Sequence, residues 1–99
     1  MKKSLISNKK ECYVCKTTYN LHCHHIFEGT GRRKLSDDDG CWVWLCAYHH
    51  NMSNEGVHFN KKLDLELKRR CELKWLLDDY DRCINDFIKR YTKNYLWEE

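Results

Sequence analysis

Two short apolar runs, Leu21-His22-Cys23-His24-His25-Ile26 and Leu45-Cys46-Ala47-Tyr48-His49-His50-Asn51, lie about twenty residues apart, and each carries a pair of adjacent histidines. Histidines paired in this way can divide the work of hydrolysis, one imidazole binding a metal while its neighbour takes a proton from water. The cysteines around them constrain folding further. Cys12-x-x-Cys15 and Cys46-x-x-His49 are two ligand pairs with the two-residue spacing of a zinc knuckle. Two such pairs close a four-coordinate structural Zn²⁺ site, the first on a turn and the second where a helix begins. Cys23 and Cys41 are the rival ligands. Cys71 and Cys83 read as small apolar packing groups of the helical half.

Size makes such a staple useful. A chain of 99 residues suits one domain and buries only about 60–65% of its unfolded surface, so a bound metal or a partner helps it fold. The first ten residues carry four lysines, but their apolar pair Leu5-Ile6 is far short of a signal-peptide core or a membrane span. A cytoplasmic protein with no membrane partner is expected. In a reducing compartment seven cysteines, an odd number, point to metal ligation or buried thiols rather than to disulfides.

The formal net charge is +3, with bases clustered at Lys2-Lys3, Lys9-Lys10, Arg32-Arg33-Lys34, Lys61-Lys62, Lys68-Arg69-Arg70 and Lys89 to Lys93. Such clusters can neutralise nucleic-acid phosphates, although charge runs on helices are more often solvated faces.

The chain divides in two. All four glycines lie between residues 29 and 56, and there is no proline. Residues 12–59 therefore read as short strands, turns and one short helix. Leu21 to Phe27 and Cys41 to Leu45 are strand candidates expected to pair antiparallel. Between them, Ser36-Asp37-Asp38-Asp39 has a serine with a carboxylate three residues on, which can cap one helical turn before Gly40 ends it. Residues 60–97 read as helix, with Asn60 as N-cap. Leu73, Leu76, Leu77, Tyr80, Ile84, Phe87, Ile88, Tyr91 and Tyr95 recur at three- and four-residue steps as one broad apolar stripe. Three aspartates in the five residues from Asp78 suggest two helices, while one continuous helix keeps the same phase.

The bland reading of His24-His25 is a core His25 beside an exposed His24, and six histidines, five of them in two short clusters, argue against it. His24-His25-Ile26, a turn, a strand and then Leu-Cys-x-x-His-His-Asn resemble the HNH nuclease family. Gly56 to Asp64 and the ending Phe87 to Leu96 are similar to small HNH proteins of bacteriophages and prophages. The resemblance implies an α+β fold: a ββα-metal, treble-clef-like core with a zinc knuckle, followed by a C-terminal helical segment.

Carried over residue by residue, the resemblance makes His24 a ligand of a catalytic divalent metal, His25 the general base, and His50 a second ligand. A further helix ligand falls at Asn54, with His58 the stronger ligand type nearby. The family's central asparagine, which orients the base, corresponds to Cys41, so a backbone carbonyl or another side chain must orient His25, or the enzyme is impaired. The implied activity is endonucleolytic hydrolysis of DNA phosphodiesters with Mg²⁺, Mn²⁺, Ni²⁺ or Zn²⁺, in a host cytoplasm if phage-encoded. Arg32, Arg33 and Lys34 stand where they could grip flanking phosphates. Activity is expected to fall as pH drops through the pKa of the base, for histidine ordinarily about 6.5.

Two other readings compete. One is a catalytically inactive zinc module that binds DNA or protein, favoured by Cys41. The other is a toxin or host-takeover protein that docks through its helical tail. The long stripe, with Trp75 and Trp97 near its edges, either folds back on the zinc-stapled half or meets its copy in a second chain. The length of the patch leans towards a homodimer.

Overall fold

Alternation along Leu21–His25 and Trp42–Cys46 produces two strands, β1 and β2, which pair antiparallel with Leu21 opposite Cys46 and His25 opposite Trp42. A computed structural model describes residues 2–29, 31–52, 56–58 and 60–96, with the backbone alone described at 51 and 52. Asn54, Phe59 and Trp97 lie outside the described residues. Between the strands runs helix α1, Arg32–Asp39, and after β2 comes a single π-helical turn, Tyr48–Met52. Helices α2, Lys61–Asp78, and α3, Ile84–Tyr91, complete a small α+β molecule. No helix is long and apolar enough to cross a membrane among the described residues.

Directly paired residues share a sheet face. His22, His24, Val43 and Leu45 therefore project to one side, and Cys23, His25, Trp42 and Trp44 to the other. Val43 and Leu45 are fully buried on the core side. The N-terminal segment covers the opposite face: the Trp42 indole donates to the Lys2 carbonyl (2.7 Å), and the Ser4 hydroxyl donates to the Trp42 carbonyl (2.6 Å).

The short helix differs from its expectation. It begins four residues before Ser36, which is an interior residue, fully buried, bridging the backbone of Phe27 by accepting from its N–H (2.9 Å) and donating to its carbonyl (3.0 Å). Gly40 ends the helix as expected, at φ +75°, and a Cβ there would lie 2.3 Å from the Lys3 carbonyl oxygen. Both the left-handed backbone and the close approach of the N-terminal segment require glycine.

The last residue of α1 fastens the helical half. Asp39 accepts from the Trp75 indole (3.2 Å), the Tyr91 hydroxyl (2.5 Å) and the Arg90 guanidinium, whose Nη2 donates to Oδ1 at 2.8 Å. The carboxylate raises the Arg90 pKa, and burial raises that of Tyr91.

Asn60 caps α2 through its side-chain oxygen, which accepts from the Leu63 N–H (3.2 Å). The break between α2 and α3 falls at the aspartates, where Asp86 accepts from the Cys83 N–H (2.9 Å) to open α3. Because the chain reverses there, the apolar stripe is not continuous. Phe87 and Tyr91 are buried, whereas Leu73, Leu77, Tyr80 and Ile88 are exposed. The buried face of α2 is Leu67, Cys71, Glu72 and Trp75. Trp75 is thus core rather than edge, and Cys83 is exposed rather than a packing group. Glu72 is wholly buried: Oε1 accepts from the Tyr95 N–H (2.7 Å), and burial raises its carboxyl pKa.

Candidate functional site

The first cluster joins the N-terminal turn to the end of β2. Cys12, Cys15, Cys46 and His49 bring their ligand atoms within 4.8 Å of one another. Cys15 and Cys46 sulfurs are 3.8 Å apart, and Nδ1 of His49 lies 3.7 Å from Cys12 Sγ and 3.3 Å from Cys46 Sγ. A tetrahedral ion with Zn–S bonds of about 2.3 Å separates two sulfurs by about 3.8 Å, so these four residues can hold a metal ion of zinc's size. Burial pushes the Cys12 thiol up, but the backbone at Cys15, Cys46 and Val14 and the Cys46 side chain outweigh it and bring the pKa down to about 6. Cys12 is therefore largely thiolate at neutral pH, the form that ligates. Cys46 is shifted up by burial and by its neighbours Cys12 and Cys15.

Neither rival cysteine joins this cluster. Cys23 faces α1 across the sheet. Cys41 is fully buried, 3.9 Å from the Tyr91 hydroxyl, and its carbonyl accepts from the Ile26 N–H (2.9 Å). The position expected to orient a base is thus a core position.

The second cluster forms on the core side of β1. His24 from the strand, His50 from the π-helical turn and His58 from the segment beyond it have ligand atoms within 4.8 Å of one another. Nε2 of His50 is 3.1 Å from Nε2 of His58. His24 is 2% exposed, and its Nε2 has no hydrogen-bond partner among the described residues. Burial lowers the His24 pKa to about 3, reinforced by His50 and His58. Burial, then His58 and His22, lowers that of His50 to about 4. Both are neutral at physiological pH, which leaves lone pairs for an ion. His58 stands in this cluster beside His24 and His50.

His25 lies on the other face of β1, its Nε2 3.4 Å from Oδ1 of Asp37. Cys23, His25, Gly31, Arg33, Lys34 and Asp37 line one open cleft there. Arg33 and Lys34 therefore flank His25. Arg32 turns away, donating from Nη2 to the Thr92 hydroxyl (2.5 Å) and tying α1 to the end of α3.

Three residues of the site were not singled out by motif: His22, Glu28 and Asp37. Nδ1 of His22 is 2.9 Å from Nδ1 of His50, and Oε1 of Glu28 is 3.5 Å from Nδ1 of His24 and 3.8 Å from Nδ1 of His58. The signal for His22 was present, since a residue two before His24 in a strand shares its face. Comparison with protein-family models, with curated proteins and with solved structures gave no match.

Proposed function

We propose that the chain is a metal-dependent DNA endonuclease of HNH type, with a structural Zn²⁺ on Cys12, Cys15, Cys46 and His49 and a catalytic divalent ion on His24, His50 and His58. The observation that carries this reading is the convergence of three imidazoles on one point beside a separate three-cysteine, one-histidine cluster. Three imidazole ligands, fewer than a closed structural site uses, would leave a position for water or substrate, as catalytic sites do. An ion bound there supplies electrostatic stabilisation to the phosphate and to the leaving 3′ oxygen.

The chain's own groups supply the rest. His25 takes the proton of the attacking water. Asp37 holds Nε2–H of His25 and leaves Nδ1 to receive that proton, filling the orienting role that Cys41 does not occupy. Arg33 and Lys34 grip phosphates beside it. A second copy covers the exposed Leu73, Leu77 and Tyr80. A phage-encoded protein working in its host's cytoplasm suits the sequence resemblance.

One observation favours a second reading, a non-catalytic zinc module that binds DNA: strand alternation sets His25 on the face opposite His24. Incubating zinc-loaded protein with supercoiled plasmid and Mg²⁺, Mn²⁺ or Ni²⁺ separates them. Nicking supports the enzyme, and binding without nicking supports the module.

A further inference from the structure

Each imidazole of the three-histidine cluster has one nitrogen turned towards the shared point and the other turned to a neighbour outside it. For His24 the inner atom is Nε2, buried and without a partner among the described residues, while Nδ1 faces Glu28 at 3.5 Å. For His58 the inner atom is again Nε2, 3.1 Å from Nε2 of His50, and Nδ1 faces the same Glu28 oxygen at 3.8 Å. For His50 the outer nitrogen is Nδ1, 2.9 Å from Nδ1 of His22.

A ligating imidazole nitrogen must be unprotonated, so the proton of the neutral ring must sit on the other nitrogen. Left to itself, a histidine distributes its proton between both, and each wrong tautomer removes a lone pair from the site. A group accepting from Nδ1–H selects the ligating form, fixes the ring plane and raises the basicity of Nε2.

We infer that Glu28 and His22 are the positioning residues of this site: the Glu28 carboxylate, faced by Nδ1 of His24 and of His58 at 3.5 and 3.8 Å, favours the proton on those atoms, and His22 accepts at its own Nδ1 from Nδ1–H of His50. All three ligands then present Nε2 to one divalent cation. His22 must itself carry its proton on Nε2 to accept in this way. One carboxylate thus serves two ligands, and it contributes a negative charge close to the cation. The inference rests on reading the trio as a metal site, and it adds residues that contact neither the ion nor the substrate.

The test is binding of Co²⁺ by full-length protein already loaded with zinc at the cysteine cluster, followed by visible absorption. Histidine-only coordination lacks the intense thiolate charge-transfer band, so exchange into the cysteine site is recognised and excluded. Glu28→Ala and His22→Ala are expected to weaken Co²⁺ binding by about 10–100-fold each, with Glu28→Gln recovering part of the loss because its amide oxygen still accepts. Nitrogen chemical shifts of the histidines without added Co²⁺ give a readout that simple loss of packing does not mimic. His24 and His50 should appear as Nδ1–H tautomers in the unaltered chain and as mixtures in the Glu28 and His22 variants respectively. Should Glu28→Ala fail to fold, Glu28→Gln and the tautomer readout carry the test. Variants that bind Co²⁺ as tightly as the unaltered chain, with unchanged tautomers, overturn the inference alone. Failure of the unaltered chain to bind Co²⁺ overturns it together with the metal reading of the trio.

Discussion

Nε2 of His50 and Nε2 of His58 lie 3.1 Å apart, and in the same group is Nε2 of buried His24, which has no hydrogen-bond partner among the described residues. Two imidazole nitrogens this close need a proton or a cation between them, and protonating the cluster puts positive charges side by side. The pKa values of His24 and His50, lowered to about 3 and about 4 by burial and then by their neighbours, express that cost.

The first prediction follows from that cost. A histidine whose folded pKa lies below its unfolded value, about 6.5, gives stability that is complete above pH 6.5. That stability drains away as pH falls towards the folded values, because the unfolded chain binds the extra protons. Without an ion on the trio, the urea midpoint of the chain is expected to drop steadily between pH 6.5 and 4. His24→Gln, which removes the most strongly shifted group, should flatten that drop. An equal slope in the variant would mean that the cluster is not what makes the fold acid-sensitive.

The two clusters should separate under mutation. Cys12→Ser removes a ligand from the site that joins the N-terminal turn to β2 and should release zinc with a large loss of thermal stability, since a structural metal's binding energy is folding energy. His50→Ala should abolish ion binding at the trio with a much smaller stability loss. Metal content by mass spectrometry and thermal midpoints check both. Equal destabilisation would show that the ligands are divided wrongly.

A third expectation concerns Asp39, whose carboxylate gathers Trp75, Arg90 and Tyr91 from the two C-terminal helices. Replacing it with Ala leaves the Trp75 indole without its acceptor and removes the partner of half-exposed Arg90, while the Tyr91 hydroxyl keeps the Leu35 carbonyl at 3.1 Å; the loss should be about 2 kcal/mol. Tyr91→Phe removes one hydrogen bond and should cost about 1 kcal/mol. Denaturant midpoints measure both, and metal binding should be unchanged.

Much of this arrangement was legible because it depends on spacing. The pairs at Cys12/Cys15 and Cys46/His49 sit at knuckle distance whatever surrounds them, and the Asp78 to Arg82 break carries its own polar signal. The alternation of β1 already separated His24 from His25. The true start of α1 was not legible, because Arg32 to Asp39 has little apolar periodicity and its two buried residues, Ser36 and Asp39, are polar. Their burial is stabilised by hydrogen bonds to Phe27, Trp75 and Tyr91, distant in sequence. The stripe from Leu73 to Tyr95 misled for a related reason: the reversal between α2 and α3 changes which helix face meets the core.

That reversal leaves Leu73, Leu77 and Tyr80 exposed, Tyr80 to 94%. Light scattering across a dilution series is expected to give the mass of two chains. Leu77→Glu, at a site 69% exposed and so harmless to the fold, should return the mass of one. A single-chain mass at every concentration in both proteins would leave this face without a second copy and make the chain a monomer.

On the reading proposed above, a cation on the three histidines and a base at His25 together hydrolyse DNA. The most direct measurement is the rate of conversion of supercoiled plasmid to open-circular or linear form by zinc-loaded protein, with Mg²⁺, Mn²⁺ or Ni²⁺ added, run beside His25→Ala. Cleavage that requires the added ion and falls by about 10²–10⁴-fold in His25→Ala, with DNA binding retained, is the predicted result. No cleavage with any of the three ions, or turnover in His25→Ala close to that of the unaltered chain, would contradict it.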